Sequence, residues 1–207
     1  MGYIGIDIGT SNIKIIETDE KVNVKNKMIL EKINPEKAFE KFIDEKNIKL
    51  ENIEKIIVTG VGANNMKAQY LNTPIEKVPE FIATGSVEEE GNFVVASIGT
   101  GTAFIKNENG VMAHLGGTGV GGGTLINLCK KIEHQFDFEN IKKAELTGTL
   151  KNVDLTIQDV TTEEIKTLPK DITAVNFGKL NEKATNNDVI LGIMNMVFET
   201  VGVMAAL

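Results

Sequence analysis

Arginine is absent from this 207-residue sequence, and its absence restricts how the chain can hold an anion. All 22 basic residues are lysines. Because only a guanidinium group offers a planar fork of N–H donors, bidentate clamps on phosphate or carboxylate are excluded. Any bound anion must instead be held by backbone N–H groups, hydroxyl groups, lysine, histidine or a metal ion.

Cysteine and long apolar runs are scarce, and tryptophan is missing. The single cysteine, Cys129, excludes an internal disulfide and is typical of a reducing cytosol. We interpret it as a small apolar residue buried in its helix. No run approaches the roughly 18 uninterrupted apolar residues of a membrane span, and the N-terminus lacks the pattern of a signal peptide. The net charge of −7 opposes binding to nucleic acid and to anionic membranes. We therefore expect a soluble, cytoplasmic protein with neither kind of partner.

Glycine is plentiful, with 20 residues, and a glycine–threonine turn occupies the centre of the chain. The apolar run Phe93–Ile98 is short and rich in β-branched residues, which predicts a buried strand, and a second strand leads to Lys106. The turn between them exposes backbone N–H groups and two threonine hydroxyls, which suits a phosphate. The predicted phosphate-binding residues here are Gly99, Thr100, Gly101 and Thr102. A plain hairpin turn is the alternative interpretation.

The N-terminus has the same arrangement, with predicted strands at Tyr3–Ile8 and Ile13–Ile16. The predicted phosphate-binding residues of the turn between them are Gly9, Thr10 and Ser11. Asp7 ends the first strand, where a carboxylate beside a phosphate can hold Mg²⁺. Lys14 lies on the returning strand, where its ammonium can reach the phosphates. The alternatives are a turn-forming aspartate and an ordinary exposed lysine.

Beyond these turns, the pattern indicates two lobes, at residues 1–91 and 92–207, with the boundary at Gly91-Asn92. In the first lobe we predict a third strand at 21–29 and further strands at 55–59 and 74–78. We predict helices from Asn34-Pro35 to about Asn47 and from Pro79 to about Glu89, and between them a short helix carrying Met66 and Tyr70. In the second lobe we predict strands at 93–98, 103–106, 111–115 and 153–157, with a hairpin turn at Asn109-Gly110. We predict helices at 124–132 and 138–146 and a final helix capped by Asp188. The apolar stripe of that final helix consists of Ile190, Ile193, Met194, Val197, Val201 and Met204.

Each lobe therefore opens with strand, glycine turn and two further strands, followed by helices. This internal repeat resembles the two-lobed actin-like ATPase (ribonuclease H-like) and sugar-kinase superfold. The resemblance implies an α/β protein in which each lobe has a mixed sheet that opens with a β-hairpin and is packed by helices. In that superfold the paired hairpins face each other across an ATP cleft.

Two further features carry candidate chemistry. Glu80 opens a helix at the end of the first lobe, where a carboxylate can position an alcohol and accept its proton. Stabilisation of the helix dipole is the alternative role for this residue. The glycine run that ends in Gly121, Gly122 and Gly123 precedes a helix and is a candidate anion cradle, with a flexible loop as the alternative. It matches neither a Walker A loop nor a Rossmann fingerprint.

Five segments resemble the type II pantothenate kinase family. They are Gly5–Lys14, Val58–Gly60, Glu80-Phe81, Ile98–Thr102 together with Leu115–Gly123, and Asp171–Gly178. Their order and approximate spacing hold over the whole chain. The Asn-Phe-Gly sequence in the last segment and the triple glycine are the most family-specific parts.

The resemblance implies a phosphotransferase that uses ATP and Mg²⁺ to convert pantothenate into 4′-phosphopantothenate, the first step of coenzyme A biosynthesis. Glu80 would be the catalytic base, and the implied substrate-binding residues are Glu80, Thr102, His114, Gly116 and Gly117. The helix from about Asp188 would contribute to a homodimer. The chain ends at Leu207, ahead of the family's adenosine-binding strand and glycine turn, so we expect that segment to be missing and the second lobe to be incomplete.

Two positions differ from the family pattern. His114 stands where family members usually have an arginine that helps to bind pantothenate, and Ala103 stands where a serine usually follows the second turn. Two alternatives therefore stay open: a kinase of the same superfold that acts on a sugar or other small alcohol, and a non-catalytic relative. An ATPase activator with an iron–sulfur cluster is disfavoured, because one cysteine per chain cannot supply four cluster ligands across a dimer interface.

Overall fold

Residues 1–31, 33–70, 72–86, 91–163 and 165–207 are described by a computed structural model of the chain. The chain divides into two units. The first comprises Met1–Val95 and Ile105–His114, and the second comprises Ala96–Phe104 and Leu115–Leu207. The lobe boundary at residues 91 and 92 remains a prediction.

A six-stranded mixed sheet organises the first unit. Its strands are β1 (Gly2–Ile8), β2 (Asn12–Thr18), β3 (Val24–Glu31), β4 (Ile53–Thr59), β5 (Gln69–Tyr70) and β6 (Thr73–Lys77), in the order β3-β2-β1-β4-β6-β5. The β1–β2, β2–β3 and β5–β6 pairs are antiparallel, whereas β1–β4 and β4–β6 are parallel. Because β1 and β4 run in the same direction, their carboxyl ends meet at one edge of the sheet, where Asp7 lies.

Alternation along β1 directs Ile4, Ile6 and Ile8 into the core, where helix α1 (Pro35–Glu45) packs. The helix starts as predicted, with the Asn34 side chain accepting a hydrogen bond from the N–H of Lys37. Its apolar stripe buries three residues against the sheet, namely Ala38, Phe39 and Phe42. Helix formation here follows from the cap together with the spacing of this stripe.

Two first-unit predictions need correction. Only one 3₁₀ turn, Ala63–Asn65, forms where a helix carrying Met66 and Tyr70 was predicted. Tyr70 lies instead in β5, and its ring meets that of Phe39 edge-on with centroids 4.8 Å apart, because packing of the aromatic pair outweighs local helical spacing. Helix α2 spans Glu80–Gly85, shorter than predicted, and residues 87–90 lie outside the described part of the chain.

A three-stranded sheet follows, built from β7 (Phe93–Ile98), β8 (Thr102–Glu108) and β9 (Val111–Thr118) in the order β7-β8-β9. Asn109 and Gly110 have φ values of 53° and 81°, as the predicted type I′ turn requires. The remaining elements are α3 (Gly122–Ile132), α4 (Phe138–Thr147), β10 (Leu155–Thr156), α5 (Ile157–Val160), β11 (Thr173–Val175) and α6 (Asn186–Ala206). The predicted strand at 153–157 is wrong beyond β10, because Thr156 and Asp159 form a capping box that starts α5.

The core of the second unit forms where α6 packs on α3 and α4. Its fully buried members are Cys129, Ala144, Ile190 and Ile193. Burial of Cys129 confirms its predicted role and raises the pKa of its thiol to about 11, which keeps it unreactive. Of the predicted stripe, Val197 and Val201 are also buried, Met194 is partly buried and Met204 is exposed.

The N-cap of α6 is Thr185 and not Asp188. Asp188 occupies the third helical position and is 2% exposed, and the two residues form a reciprocal capping box. The carboxylate of Asp188 also accepts hydrogen bonds from the N–H of Thr149 and from Asn152. Burial alone would raise the pKa of Asp188, but hydrogen bonds, first among them that from Thr185, hold it below its usual value.

Among the described residues, α6 is also the one helix long and apolar enough to cross a bilayer by length and composition. Two of its polar side chains form hydrogen bonds within the second unit, as expected of a helix that packs in a folded domain. Asn195 donates to Asp154 at 3.0 Å, and Glu199 accepts from Asn176 at 2.7 Å. Its apolar residues Ile190 and Ile193 lie in the core of the second unit described above.

Candidate active site

Asp7 and Lys14 lie side by side on the first two strands. They are register partners in the β1–β2 pair, and Lys14 Nζ donates to Asp7 Oδ2 at 3.0 Å. The side chains are 36% and 58% exposed, respectively. A surface ion pair of this kind adds little to stability. What it provides is one carboxylate and one ammonium, held side by side where β1 ends.

The first glycine turn follows directly. The N–H of Gly9 donates to the carbonyl of Asn12 at 3.0 Å, which closes the hairpin and leaves Thr10 and Ser11 exposed at its tip. The end of β4 lies against this turn. Gly60 there has φ of 92°, and a Cβ at this position would lie 2.7 Å from Asp7 Oδ1, so only glycine fits beside the carboxylate.

Glu80 is the first residue of α2 and is exposed. Within the part of the chain that the structure describes, its carboxylate makes no hydrogen bond or ion pair. A carboxylate without an internal partner can accept a proton from a bound alcohol, which is the role predicted for this residue. Pro79 precedes it with φ of −54°, the value that its ring imposes, and so fixes where α2 begins.

Close packing anchors the other end of α2. Gly85 is buried, and a Cβ there would lie 2.9 Å from Met112 Sδ and 3.1 Å from Ile105 Cγ2. Ser86 ends the helix by donating its hydroxyl to the Ile82 carbonyl at 2.7 Å. The end of α2 therefore packs closely against β8 and β9 through a residue without a side chain.

The second glycine turn is bound to the start of α3. The N–H of Gly122 donates to the Gly99 carbonyl at 2.9 Å, and that of Gly123 donates to the Thr100 carbonyl at 2.9 Å. A Cβ on Gly121 would lie 2.7 Å from the carbonyl carbon of Gly101. The triple glycine thus permits backbone-to-backbone contact between the helix start and the turn.

These contacts change the interpretation of the predicted anion cradle. The N–H of Gly121 faces Thr124 Oγ1 at 3.3 Å, so all three glycine amides donate within the chain. A cradle needs such amides to be available, and in this conformation they are not. Contact between residues 121–123 and a phosphate therefore remains a prediction, and the role that the structure gives these glycines is packing.

Thr102 also differs from expectation. Its side chain is 4% exposed, and Oγ1 donates to the Val120 carbonyl at 2.9 Å. The prediction of two exposed threonine hydroxyls is therefore wrong for this residue, because its hydroxyl links the turn to the glycine loop. Thr100 is exposed at the tip of the turn, as predicted.

The three remaining predicted substrate residues lie on β9. His114 is exposed, and Gly116 has φ of 138°, in the region that favours glycine. A Cβ on Gly117 would lie 2.5 Å from the Thr102 carbonyl, so this glycine allows β9 to approach β8. The roles of these three residues in substrate binding remain predictions. Among the described residues, no three His, Cys, Asp or Glu side chains converge as a metal site would require.

Comparison with known proteins identifies the family. A family model described as Fumble matches residues 82–207. The chain is 32% identical to a type II pantothenate kinase from Bacillus cereus (strain AH820), over 96% of this chain and 74% of that protein. The chain belongs to the type II pantothenate kinase family. A family member from Staphylococcus aureus (strain bovine RF122 / ET3-1) is 26% identical over 98% of this chain and 77% of its own length.

Membership of this family makes the protein a phosphotransferase, as the sequence resemblance implied. Solved structures confirm the predicted fold class. The activator of the 2-hydroxyisocaproyl-CoA dehydratase from Clostridium difficile with bound ADPNP has a TM-score of 0.64 over 99% of this chain and 75% of its own, with 19% identity. Component A of the (R)-2-hydroxyglutaryl-CoA dehydratase from Acidaminococcus fermentans also gives 0.64, over 100% and 78%, with 16% identity. At such identities the likeness shows the fold alone.

Sequence reasoning missed two features of the site. One is the packing of the triple glycine on Gly99 and Thr100. The sequence carried a signal for this packing, because two glycine-rich segments occur in the same lobe. The other is the close packing of Gly85 against Met112 and Ile105. A lone glycine near a helix end looks like an ordinary terminator, and nothing local marks it as a packing contact.

Proposed function

We propose that the protein transfers the γ-phosphoryl group of ATP to the hydroxyl of pantothenate, giving 4′-phosphopantothenate on the route to coenzyme A. The observation that carries this proposal is the similarity to type II pantothenate kinases over nearly the whole chain. Within that match, Asp7, Lys14 and Glu80 stand at strand and helix ends where their side chains reach solvent.

The proposed chemistry assigns one task to each group. Glu80 accepts the proton of the acceptor hydroxyl while that oxygen attacks phosphorus. Lys14 and the exposed turn residues Thr10, Ser11 and Thr100 contact phosphate oxygens of ATP. Without arginine, these lysine, hydroxyl and backbone groups carry the electrostatic recognition of the nucleotide.

Magnesium is proposed as the accompanying cation. Mg²⁺ in phosphoryl-transfer sites takes one or two carboxylates and the substrate phosphates, so a cage of three protein ligands is not needed. The partly exposed carboxylate of Asp7 supplies a hard oxygen donor of the required kind. When bound, the cation would neutralise charge on the transferring phosphoryl group.

A second acceptor class is favoured by one observation. Pantothenate carries a carboxylate, yet the chain has no arginine and places an exposed His114 where the family has one. If the carboxylate is not recognised, an acceptor without it will serve as well. Pantetheine, which lacks the carboxylate, and hexoses therefore belong in the same assay.

The test is a product assay with ATP, Mg²⁺ and each acceptor in turn. We expect 4′-phosphopantothenate from the wild-type chain, and Glu80→Gln should lower kcat by about 10²–10⁴-fold while nucleotide affinity stays unchanged. Glu40→Gln is the matched control, because Glu40 is also an exposed helical glutamate of the first unit. Unchanged turnover in Glu80→Gln would contradict the role of this residue, and phosphorylation of hexoses alone would replace pantothenate as the acceptor.

We also propose a soluble cytoplasmic homodimer that pairs through α6, with no nucleic-acid or membrane partner. The support is that α6 leaves Phe198 and Val203 exposed at 55% and 53% while its other face lies in the core. Light scattering should report twice the chain mass for the wild type and a monomer for Phe198→Lys. A wild-type monomer would exclude this arrangement.

A further inference from the structure

Three polar side chains form a row across neighbouring strands of the first unit. Lys14 on β2 is the register partner of Asp7 on β1, and Asp7 is the register partner of Thr59 on β4. Register partners on adjacent strands project to the same face of a sheet. The three therefore stand side by side where β1 and β4 both end.

The hydroxyl of Thr59 is the member of this row that the proposed function does not use. Its Oγ1 is buried, and among the described residues it is the one buried side-chain N or O atom that has no hydrogen-bond partner. Buried hydroxyls are nearly always hydrogen-bonded, so a buried hydroxyl without a partner in the protein indicates a partner outside the chain. A valine would fill the same volume in a strand without the unpaired hydroxyl, yet the chain has a threonine here.

The turn after Thr59 keeps the end of β4 against the Asp7 carboxylate. Gly60 adopts φ of 92°, and a Cβ there would lie 2.7 Å from Asp7 Oδ1. The N–H of Gly62 then donates to the Ile8 carbonyl at 3.0 Å. These contacts hold the turn after Thr59 against the end of β1, on the strand next to the one that carries Asp7.

We propose that Thr59 Oγ1 and the Asp7 carboxylate together bind a water molecule in the hydration shell of the divalent cation that accompanies ATP. This inference rests on the proposed kinase function. Mg²⁺ in such sites keeps several of its water molecules. A water bound to the cation can donate from both of its O–H groups, so the carboxylate and the hydroxyl oxygen can each accept one hydrogen bond from it. Thr59 is therefore a positioning residue that orients the hydrated cation without touching the acceptor.

The experiment measures metal-dependent nucleotide binding by the full chain without any acceptor. Mn²⁺ with ADP is titrated by electron paramagnetic resonance, and ADP affinity is measured with Mg²⁺ and with EDTA. Thr59→Val should weaken Mn²⁺·ADP binding by about 10-fold, the lower end for loss of an outer-shell partner, and should leave ADP affinity in EDTA unchanged. Thr59→Ser keeps the hydroxyl and should restore binding. The melting temperature of Thr59→Val should equal or exceed that of the wild type, which separates a binding defect from misfolding.

Two results would overturn the inference. If Thr59→Val binds Mn²⁺·ADP as the wild type does, the hydroxyl contacts a structural water only. If the variant loses ADP affinity equally with and without metal, the hydroxyl acts on nucleotide binding and not through the cation. Failure of the proposed acceptor has a different signature, because a wild-type chain that makes no 4′-phosphopantothenate while its metal binding depends on Thr59 would contradict pantothenate as acceptor and support the role of Thr59.

Discussion

Substitution of Gly121 by alanine is the sharpest test of the second glycine turn. The added Cβ would lie 2.7–2.8 Å from the C, Cα and O atoms of Gly101, all of them backbone atoms. Ordinary carbon contacts are about 3.5 Å, so the loop and the turn must separate by roughly 0.8 Å. Overpacking of this kind costs about 1–3 kcal/mol in stability. If this turn binds phosphate as proposed, a displacement near 1 Å can lower turnover by about 10²-fold.

The assay combines steady-state phosphorylation of pantothenate with ADP binding and thermal melting. For Gly121→Ala we expect kcat/KM to fall by about 10–100-fold and the melting temperature to fall by about 2–10 °C. Gly119→Ala is the matched control in the same loop, because a Cβ there would meet nothing within 4 Å. It should behave as the wild type. Wild-type kinetics in Gly121→Ala, or an equal defect in both variants, would show that the turn is not held by this contact.

Three further predictions follow from other contacts. Gly85→Ala should lower kcat only about threefold, with unchanged ADP affinity, because the nearest obstructing atom is the flexible thioether of Met112 and the next, Ile105 Cγ2 at 3.1 Å, needs to move only slightly; a loss as large as that of a catalytic variant would contradict this. Thr102→Val leaves the Val120 carbonyl unpaired and should cost about 1–3 kcal/mol in urea unfolding without altering ADP affinity, whereas weaker ADP binding at unchanged stability would restore the predicted contact with ligand. The pKa of Asp188 is lowered by folding, so its contribution to stability is complete above the ordinary value of about 3.9 and is lost as pH falls through the folded value. Asp188→Asn should therefore flatten the fall in unfolding free energy between pH 5 and 2.5, and parallel pH profiles would refute the assignment.

The sequence predicted those features whose causes are local. Alternating apolar residues and turn glycines located both hairpins, and the Asn34 cap located the start of α1. The pairing of Asp7 with Lys14 was predictable for the same reason, since a short hairpin fixes which residues face each other.

The features that the sequence left open depend on contacts between distant residues. Tyr70 joins a strand because the ring of Phe39 lies beneath it, and no local spacing encodes that neighbour. Thr102 resembles any turn threonine until the carbonyl of Val120 is placed beside it. Sequence reasoning assigns a polar side chain to solvent by default, whereas folding gives priority to satisfying buried backbone carbonyls.

Gly60 and Gly121 show that the role of a glycine also depends on which distant atoms lie beside it. A Cβ on Gly60 would lie 2.6 Å from the Ile8 carbonyl oxygen and 2.7 Å from Asp7 Oδ1, whereas the three atoms nearest to a Cβ on Gly121 all belong to the backbone of Gly101. A glycine against backbone makes a turn rigid, because the contact closes a hydrogen-bonded unit. Gly60 packs against backbone in the same way, and in addition it leaves the partly exposed Asp7 carboxylate uncovered. Gly60 therefore serves both backbone packing and access to the Asp7 carboxylate, whereas Gly121 serves backbone packing.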